Sequence, residues 1–199
     1  MLNQPDLDEA DEETGRGLQD HPGLKSRKIK GGHLMSKTES CLKEAFAGES
    51  QANRRYLAFA VKADQEGFPQ VARLFRAAAE AETVHAHSHL RALNGVRSTK
   101  ENLQEAINGE THEFKKMYPE MIEAAKAEGH KVAERSFSYA NSVEKVHAEL
   151  YQNLLDGLGK SQESYAYYVC PVCGYTAEKG APGTCPVCGT KGEMFKKID

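Results

Sequence analysis

Two short patterns in the sequence place a glutamate and a histidine three residues apart. They are Glu82 with His85 and Glu144 with His147, and both lie in segments with the apolar periodicity of a helix. Residues three apart share one face of a helix, so the two side chains of each pair point to the same place. A carboxylate and an imidazole held in this way are suited to bind a metal ion.

Other carboxylates fall in the middle of apolar helix stripes. Glu49 lies on the first stripe, and Glu110 and Glu113 lie on the third. A buried carboxylate without a partner normally takes up a proton, so several converging carboxylates require cations. One Glu-x-x-His pair alone fits a solvated, Glu-rich helix face, but two pairs with further mid-stripe glutamates favour a two-metal site. Bundles that hold two metal ions use a glutamate from each of two helices and Glu-x-x-His from two others.

Four helical segments position these residues. Glycine or Asn-Gly stop signals follow the segments, and the short connections favour an all-α four-helix bundle over residues 35–158. The predicted helices run from about Thr38 to Glu66, from Pro69 to Asn94, from just after Ser98-Thr99 to Gly129, and from Lys131 to Leu155.

The carboxyl-terminal segment carries a second kind of metal-binding pattern. Two Cys-x-x-Cys-Gly hairpins can place four sulfurs on one metal, with backbone N–H groups directed at sulfur and glycine permitting the tight turn. Four thiolates suit iron and zinc equally. Residues 167–199 are too few for a conventional core, so we expect a small metal-stabilised β domain after a polar linker at 159–166. The four cysteines are Cys170, Cys173, Cys185 and Cys188.

Composition narrows the class of protein further. A hydrophobic fraction of 39%, a charged fraction of 28% and a formal net charge of -3 predict a soluble globular protein without affinity for nucleic acid or membranes. The acidic amino terminus lacks a signal-peptide pattern, and residues 1–34 are expected to be a disordered tail or an upstream extension. The odd cysteine count favours metal binding in a reducing cytoplasm over disulfides, with Cys41 a small residue near the start of the first helix.

Four segments, AFAGESQANRRY, AEAETVHAHSH, NGETHEFKKMYPEM and VEKVHAELY, resemble the helix motifs of the rubrerythrin family. The resemblance extends from about Thr38 to the end of the chain. It implies a ferritin-like four-helix bundle that holds two irons, followed by a rubredoxin-like domain that holds one more.

The resemblance also assigns roles to the bundle residues. Two glutamates bridge the irons in that family, and they correspond here to Glu82 and Glu144. The terminal ligands correspond to Glu49 on one iron, and to Glu110 and His147 on the other.

Four more residues receive roles from the resemblance. Glu113 and His85 correspond to the catalytic pair that exchange as ligands of one iron when the oxidation state changes. Tyr56 and Tyr118 correspond to tyrosines that hydrogen-bond the ligands. Three of the remaining histidines are expected at the surface: His87, His112 and His130. His89 is expected either to lie beside the ligands or to pack in the core.

The implied activity is a peroxidase, which reduces hydrogen peroxide to water in oxidative-stress defence. The electrons would come from an external NAD(P)H-dependent reductase or rubredoxin and pass through the four-cysteine site. Electron transfer through this site favours iron over zinc, because zinc carries no electrons. Tyr168, Tyr175 and Phe195 are expected to shield the metal in the four-cysteine site. The alternatives are a ferroxidase or iron-handling protein and a structural zinc protein.

The connection around Asn94-Gly95 is too short for the long crossover of a conventional ferritin-like bundle. The chain resembles the rubrerythrins with short connections, in which the first helix pair packs against the second pair of a partner chain. We therefore expect a homodimer with swapped helices.

Overall fold

Long helices make up most of the chain in the computed structural model, which describes residues 36–160 and 163–199. The predicted tail at 1–34 lies outside the described residues, as does part of the predicted linker. Although the third predicted segment is divided into two α-helices, the helices follow the order of the four predicted segments. They are α1 (Lys37–Gln65), α2 (Pro69–Ala92), α3 (Thr99–His112), α4 (Tyr118–Ala127) and α5 (Lys131–Asp156).

Local signals in the sequence set the helix ends. Gly67 between α1 and α2 has φ of 80°, a left-handed conformation that glycine adopts without strain. Ser98 begins α3 with a capping box, in which its side chain accepts from the Glu101 N–H and the Glu101 carboxylate accepts from the Ser98 N–H. His130 caps α5, because its Nδ1 accepts from the Ala133 N–H at 3.3 Å. These ends agree with the predicted boundaries to within a few residues.

The third predicted helix is not a single α-helix. A π-helical turn spans Glu113–Met117 and separates α3 from α4. Pro119, in the first turn of α4, lacks the N–H that α geometry would direct to the Lys115 carbonyl, so the regular bonding pattern is interrupted there. Such turns insert an extra residue per turn and are frequent at functional sites.

The helices pack as two separate groups. α1 packs along α2, with the small residues Ala60, Ala63 and Ala72 buried between them against Phe75. α3 and α4 pack against α5, where Val143 is almost fully buried. Among the residues that the structure describes, no Cα of α1 or α2 lies within 8 Å of a Cα of α3, α4 or α5. One chain therefore supplies two halves of a bundle.

Each half leaves large apolar side chains exposed. The face of α1 and α2 exposes Phe59, Val71 and Leu74, and Leu74 is 68% exposed. In the other half, Met121 and Val132 are exposed. Residues of this size are normally buried when they lie on an amphipathic helix.

Three short strands form the carboxyl-terminal domain: β1 (Tyr167–Val169), β2 (Thr176–Glu178) and β3 (Lys196–Ile198). The sheet is antiparallel with β1 in the centre, and Tyr168 pairs with Ala177 on one side and Lys197 on the other. β2 contacts α5, so this domain lies against the helix that carries Glu144 and His147. The predicted small β domain is confirmed.

No helix in residues 36–160 or 163–199 combines the length and the apolar character needed to cross a membrane.

Candidate metal centres

Glu110, Glu144 and His147 come together on the inner side of α3 and α5. Each offers one ligand atom, and these atoms lie within 4.8 Å of one another. The Nδ1 atom of His147 lies 2.9 Å from an oxygen of Glu144 and 3.9 Å from an oxygen of Glu110. The i,i+3 spacing on α5 produces the first contact, and the packing of α3 on α5 produces the second.

The two carboxylates repel each other when both are charged. Burial, followed by the hydrogen bond and charge of Glu144, raises the pKa of Glu110 to about 7. Burial also raises the pKa of Glu144. Without a cation, the pair is therefore more stable when it holds a proton than when both carboxylates are charged. A divalent metal ion would replace that proton, so the donor set fits a metal that prefers oxygen and imidazole ligands.

Glu113 and Tyr118 border this group at the two ends of the π-helical turn. Burial and the charge of Glu110 raise the pKa of Glu113. Burial, together with the charges of Glu144, Glu113 and Glu110, raises the pKa of Tyr118, whose ring packs against Phe137 at 6.3 Å. Both side chains therefore lie in the field of the carboxylates. The apolar stripe of the third helix pointed to Glu113 and the family resemblance pointed to Tyr118, but neither predicted the π-helical turn at Glu113–Met117.

The second group of ligands lies on α1 and α2. One ligand atom each from Glu49, Glu82 and His85 lies within 4.8 Å of the others. The Nδ1 atom of His85 is 3.0 Å from an oxygen of Glu82. The His85 side chain is 56% exposed, against 27% for His147, so this face is open to solvent.

Side chains around this group tie α1 to α2. The amide of Asn53 donates to the Ala79 carbonyl at 2.6 Å and to the Thr83 hydroxyl at 2.9 Å. The Tyr56 ring packs against Phe75 at 6.0 Å. These contacts fix the register in which Glu49 faces Glu82.

The two groups do not meet within one chain. Their helices make no contact in the described residues, so the predicted set of bundle ligands is split into two half-sites. The split agrees with the swapped arrangement expected from the short connection. The three histidines predicted at the surface are exposed, and His89 is half-buried.

The four cysteines form a compact cluster within one chain. The Cys170 and Cys188 sulfurs are 3.5 Å apart, as are those of Cys173 and Cys185, and one ligand atom from each cysteine lies within 4.8 Å of the others. The glycine after each hairpin has positive φ, 84° at Gly174. This spacing suits four thiolates around one tetrahedral metal ion. Cys41 is exposed on α1, outside the cluster.

Hydrogen bonds to sulfur favour the thiolate at Cys170 and Cys188, whereas burial raises the pKa of Cys173. Burial opposes ionisation of Cys188, but the side chain and N–H of Thr190 outweigh it and lower the pKa of Cys188 to about 6. Burial likewise opposes ionisation of Cys170, and hydrogen bonds that include the N–H groups of Cys173 and Val172 lower its pKa. The predicted N–H groups directed at sulfur are therefore present. Tyr175 and Phe195, two of the three aromatic residues expected to shield the metal, have ring centroids 6.5 Å apart.

One contact of His147 was not predicted from the sequence. The Nε2 atom of His147 lies 2.9 Å from the hydroxyl of Thr176 on β2. No spacing rule links residues that are this far apart in the sequence, since the contact depends on how the small domain lies on α5.

Comparison with known proteins covers both parts of the chain. The rubrerythrin family model matches residues 40–155, and the model for the rubredoxin-like domain of rubrerythrin matches residues 168–196. Rubrerythrin-2 of Clostridium acetobutylicum is 39% identical over 155 residues, covering 70% of this chain and 84% of that protein. Rubrerythrin of Porphyromonas gingivalis is 38% identical over 175 residues, covering 79% and 86%.

Solved structures of nigerythrin share the fold. The mixed-valence state superposes with a TM-score of 0.50 at 31% identity, over 86% of this chain and 91% of that one. The fully reduced, all-ferrous state gives a TM-score of 0.51 at 31% identity, over 85% and 90%.

Proposed function

Since the chain belongs to the rubrerythrin family, we propose that it reduces hydrogen peroxide to water at a two-iron carboxylate site, with electrons passed through its four-cysteine iron. The observation that carries the proposal is the clustering of Glu110, Glu144 and His147 on α3 and α5, because α5 also contacts β2 of the four-cysteine domain. The proposed site of peroxide reduction and the proposed electron carrier would then lie on the same part of the molecule.

When bound, the two ferrous ions supply the two electrons that, with two protons, convert hydrogen peroxide into two waters. The side chains hold the metals and compensate charge. Glu144 would be a ligand shared by both ions, while Glu110 and His147 would be ligands of one of them. Their partial burial limits the access of competing water.

Glu113 is proposed to replace His85 as a ligand of one iron on oxidation, and His85 to return on reduction. Glu113 lies in the first residue of the π-helical turn, half-buried and close enough to Glu110 for its charge to raise the pKa of Glu113. A carboxylate in that position stabilises the higher charge of the oxidised site better than a neutral imidazole does. Tyr56 and Tyr118 are proposed to orient the ligands by hydrogen bonds.

A second chain is proposed to complete each site. The half-site of Glu49, Glu82 and His85 would face Glu110, Glu144 and His147 of a partner in a swapped homodimer. Val71 and Leu74 on α2 and Met121 on α4 share helix stripes with the ligands and are exposed in the single chain, which supports this, because pairing the halves would bury them. The two swapped contacts would be identical by symmetry, so both sites would form together.

The electron donor is proposed to be an external NAD(P)H-dependent reductase or rubredoxin in the cytoplasm. Val172, between two of the cysteines, is 60% exposed, so the edge of the four-cysteine site is accessible to a protein donor. The chain itself has no glycine-rich nucleotide-binding pattern in its sequence.

Iron content, the visible spectrum and peroxide consumption of the purified dimer test the proposal. We expect three irons per chain, a red colour from ferric thiolate, and consumption of one peroxide per chemically reduced two-iron site. Glu144→Ala, with Glu149→Ala as the control on the exposed side of the same helix, should abolish that consumption. A colourless zinc protein, or one that oxidises and accumulates ferrous ion without catalysing peroxide reduction, would contradict the proposal and favour a structural or an iron-handling role.

A further inference from the structure

A continuous set of contacts connects the four-cysteine cluster with His147. The hydroxyl of Thr176 lies 2.9 Å from the His147 Nε2 atom and 3.2 Å from the carbonyl oxygen of Gly174. Gly174 directly follows Cys173, so its carbonyl is one residue from a sulfur of the cluster. Thr176 is therefore in contact with both the histidine and the cysteine hairpin.

One of these hydrogen bonds has an assigned direction. Thr176 has one hydroxyl proton, and it donates that proton to the Gly174 carbonyl. The Nδ1 atom of His147 faces Glu144 and Glu110. A metal bound at Nδ1 would leave the ring proton on Nε2, which would then donate to the Thr176 hydroxyl oxygen.

Apolar side chains lie beside this connection. Thr176 is half-buried, and Leu150, Leu154 and Tyr167 line a mainly apolar cavity of 220 Å³ beside it. The hairpin lies against α5 near the same place, since a Cβ added at Gly174 would be 3.8 Å from Val143. A hydrogen bond in an apolar environment is stronger than one in water.

We propose that Thr176 is a positioning residue for electron transfer between the two metal sites. Its hydroxyl would hold the imidazole of metal-bound His147 through Nε2 and would close a path from Cys173 through the Gly174 carbonyl and the Thr176 hydroxyl to the imidazole. This inference rests on the proposed function, because it assumes iron at both sites.

The electron balance of the step is simple. Each transfer oxidises one ferrous four-cysteine site to ferric and reduces one ferric ion of the carboxylate site to ferrous. Two transfers restore the two electrons that one peroxide removes. No proton has to leave His147, because Nε2–H stays bonded to Thr176 throughout.

The first test measures electron transfer within the dimer. The four-cysteine site is reduced rapidly after the two-iron site has been oxidised by peroxide, and the return of ferric-thiolate absorbance is followed by stopped flow. We expect Thr176→Val to slow this step about 10-fold, the lower end of the effects seen when a partner of a metal ligand is removed. Thr176→Ser keeps the hydroxyl and should restore the rate.

The matched control is Thr184→Val, which makes the same change at an exposed threonine next to Cys185. It should leave the rate unchanged. A Thr176→Val rate equal to that of wild type, or a Thr176→Ser rate as slow as that of the valine variant, would overturn the proposal.

The second test needs no turnover. In the full-length dimer loaded with zinc at all sites, the His147 Nε2–H signal should be visible by NMR and should exchange slowly with water. Thr176→Val should speed the exchange about 10-fold, and Thr176→Ser should not. Equal exchange in all three proteins would overturn the role of Thr176. If wild-type protein consumed no peroxide, the proposed function would fail, while this measurement would still decide how Thr176 acts on His147.

Discussion

The two metal sites of this chain are built in different ways. The four-cysteine cluster is complete within residues 170–188, and its sulfurs already lie 3.5 Å from their neighbours. The carboxylate ligands are divided between α1–α2 and α3–α5, which do not touch in the described part of the chain. One site depends on short hairpins, and the other depends on how helices assemble.

This difference assigns different tasks to the two regions. A site closed by local hairpins can bind its metal as soon as the hairpins form. A site shared between two halves gains its last ligands only on assembly, so metal binding and association stabilise each other. In the proposed swapped dimer, the carboxylate site would therefore depend on quaternary structure, while the four-cysteine site would not.

The largest loss of peroxide turnover is expected when the four-cysteine cluster is disrupted. Cys173→Ser should remove one of four thiolates, so donor-driven peroxide turnover should fall close to zero while the bundle still binds two irons. The same protein, chemically reduced, should still consume one peroxide per two-iron site. Cys41→Ser changes an exposed cysteine outside the cluster and is the control. Unchanged steady-state turnover in Cys173→Ser would show that electrons bypass the small domain.

A smaller loss of peroxide turnover is expected from a substitution at the carboxylate site. Glu113→Ala removes the proposed ligand of the oxidised state while leaving Glu110 and Glu144 in place. Peroxide turnover should fall about 10-fold to 100-fold, with most of the iron retained. Glu120→Ala, at an exposed position of α4, is the control. Wild-type kcat in Glu113→Ala would rule out the ligand exchange.

The smallest expected effect is a pH dependence of the thermal stability of the helical bundle without metal. The pKa of Glu110 is raised from 4.5 to about 7, so the stability that its proton contributes is complete below pH 4.5 and is lost as pH rises through about 7. Chelated protein should therefore have a lower Tm at about pH 8 than at about pH 5.5. Glu110→Gln should flatten this dependence. A Tm that rises over the same pH range in chelated wild type would contradict the repulsion between Glu110 and Glu144.

Much of the fold followed from local patterns. The helix ends at Gly67 and Ser98 and the hairpin glycine at Gly174 are set by short-range steric and capping rules, which a single sequence displays. The Glu-x-x-His pairs could also be recognised in the sequence, because helix periodicity alone directs both side chains of a pair to one point. The metal roles of these residues remain predictions.

Two features were not predictable from those patterns. The π-helical turn at Glu113–Met117 replaces an α-helical turn without any change in apolar spacing large enough to reveal it. The contact between Thr176 and His147 depends on the docking of a separate domain, which no local rule describes. The exposure of His85 was also not predictable from local patterns. In the proposed dimer, the residues that would cover His85 belong to another chain.

The central claim is that each reactive site takes one half from each of two chains, and mixing two inactive variants tests it most directly. Glu49→Ala impairs one half-site and Glu144→Ala the other, and each variant alone should lack peroxidase activity. Unfolded together and refolded with iron, they should form swapped heterodimers with one doubly impaired and one intact site. The mixture should recover about a quarter of wild-type activity, since half of the dimers are mixed and half of their sites are intact. Recovery of no activity, with heterodimers present, would contradict the shared site.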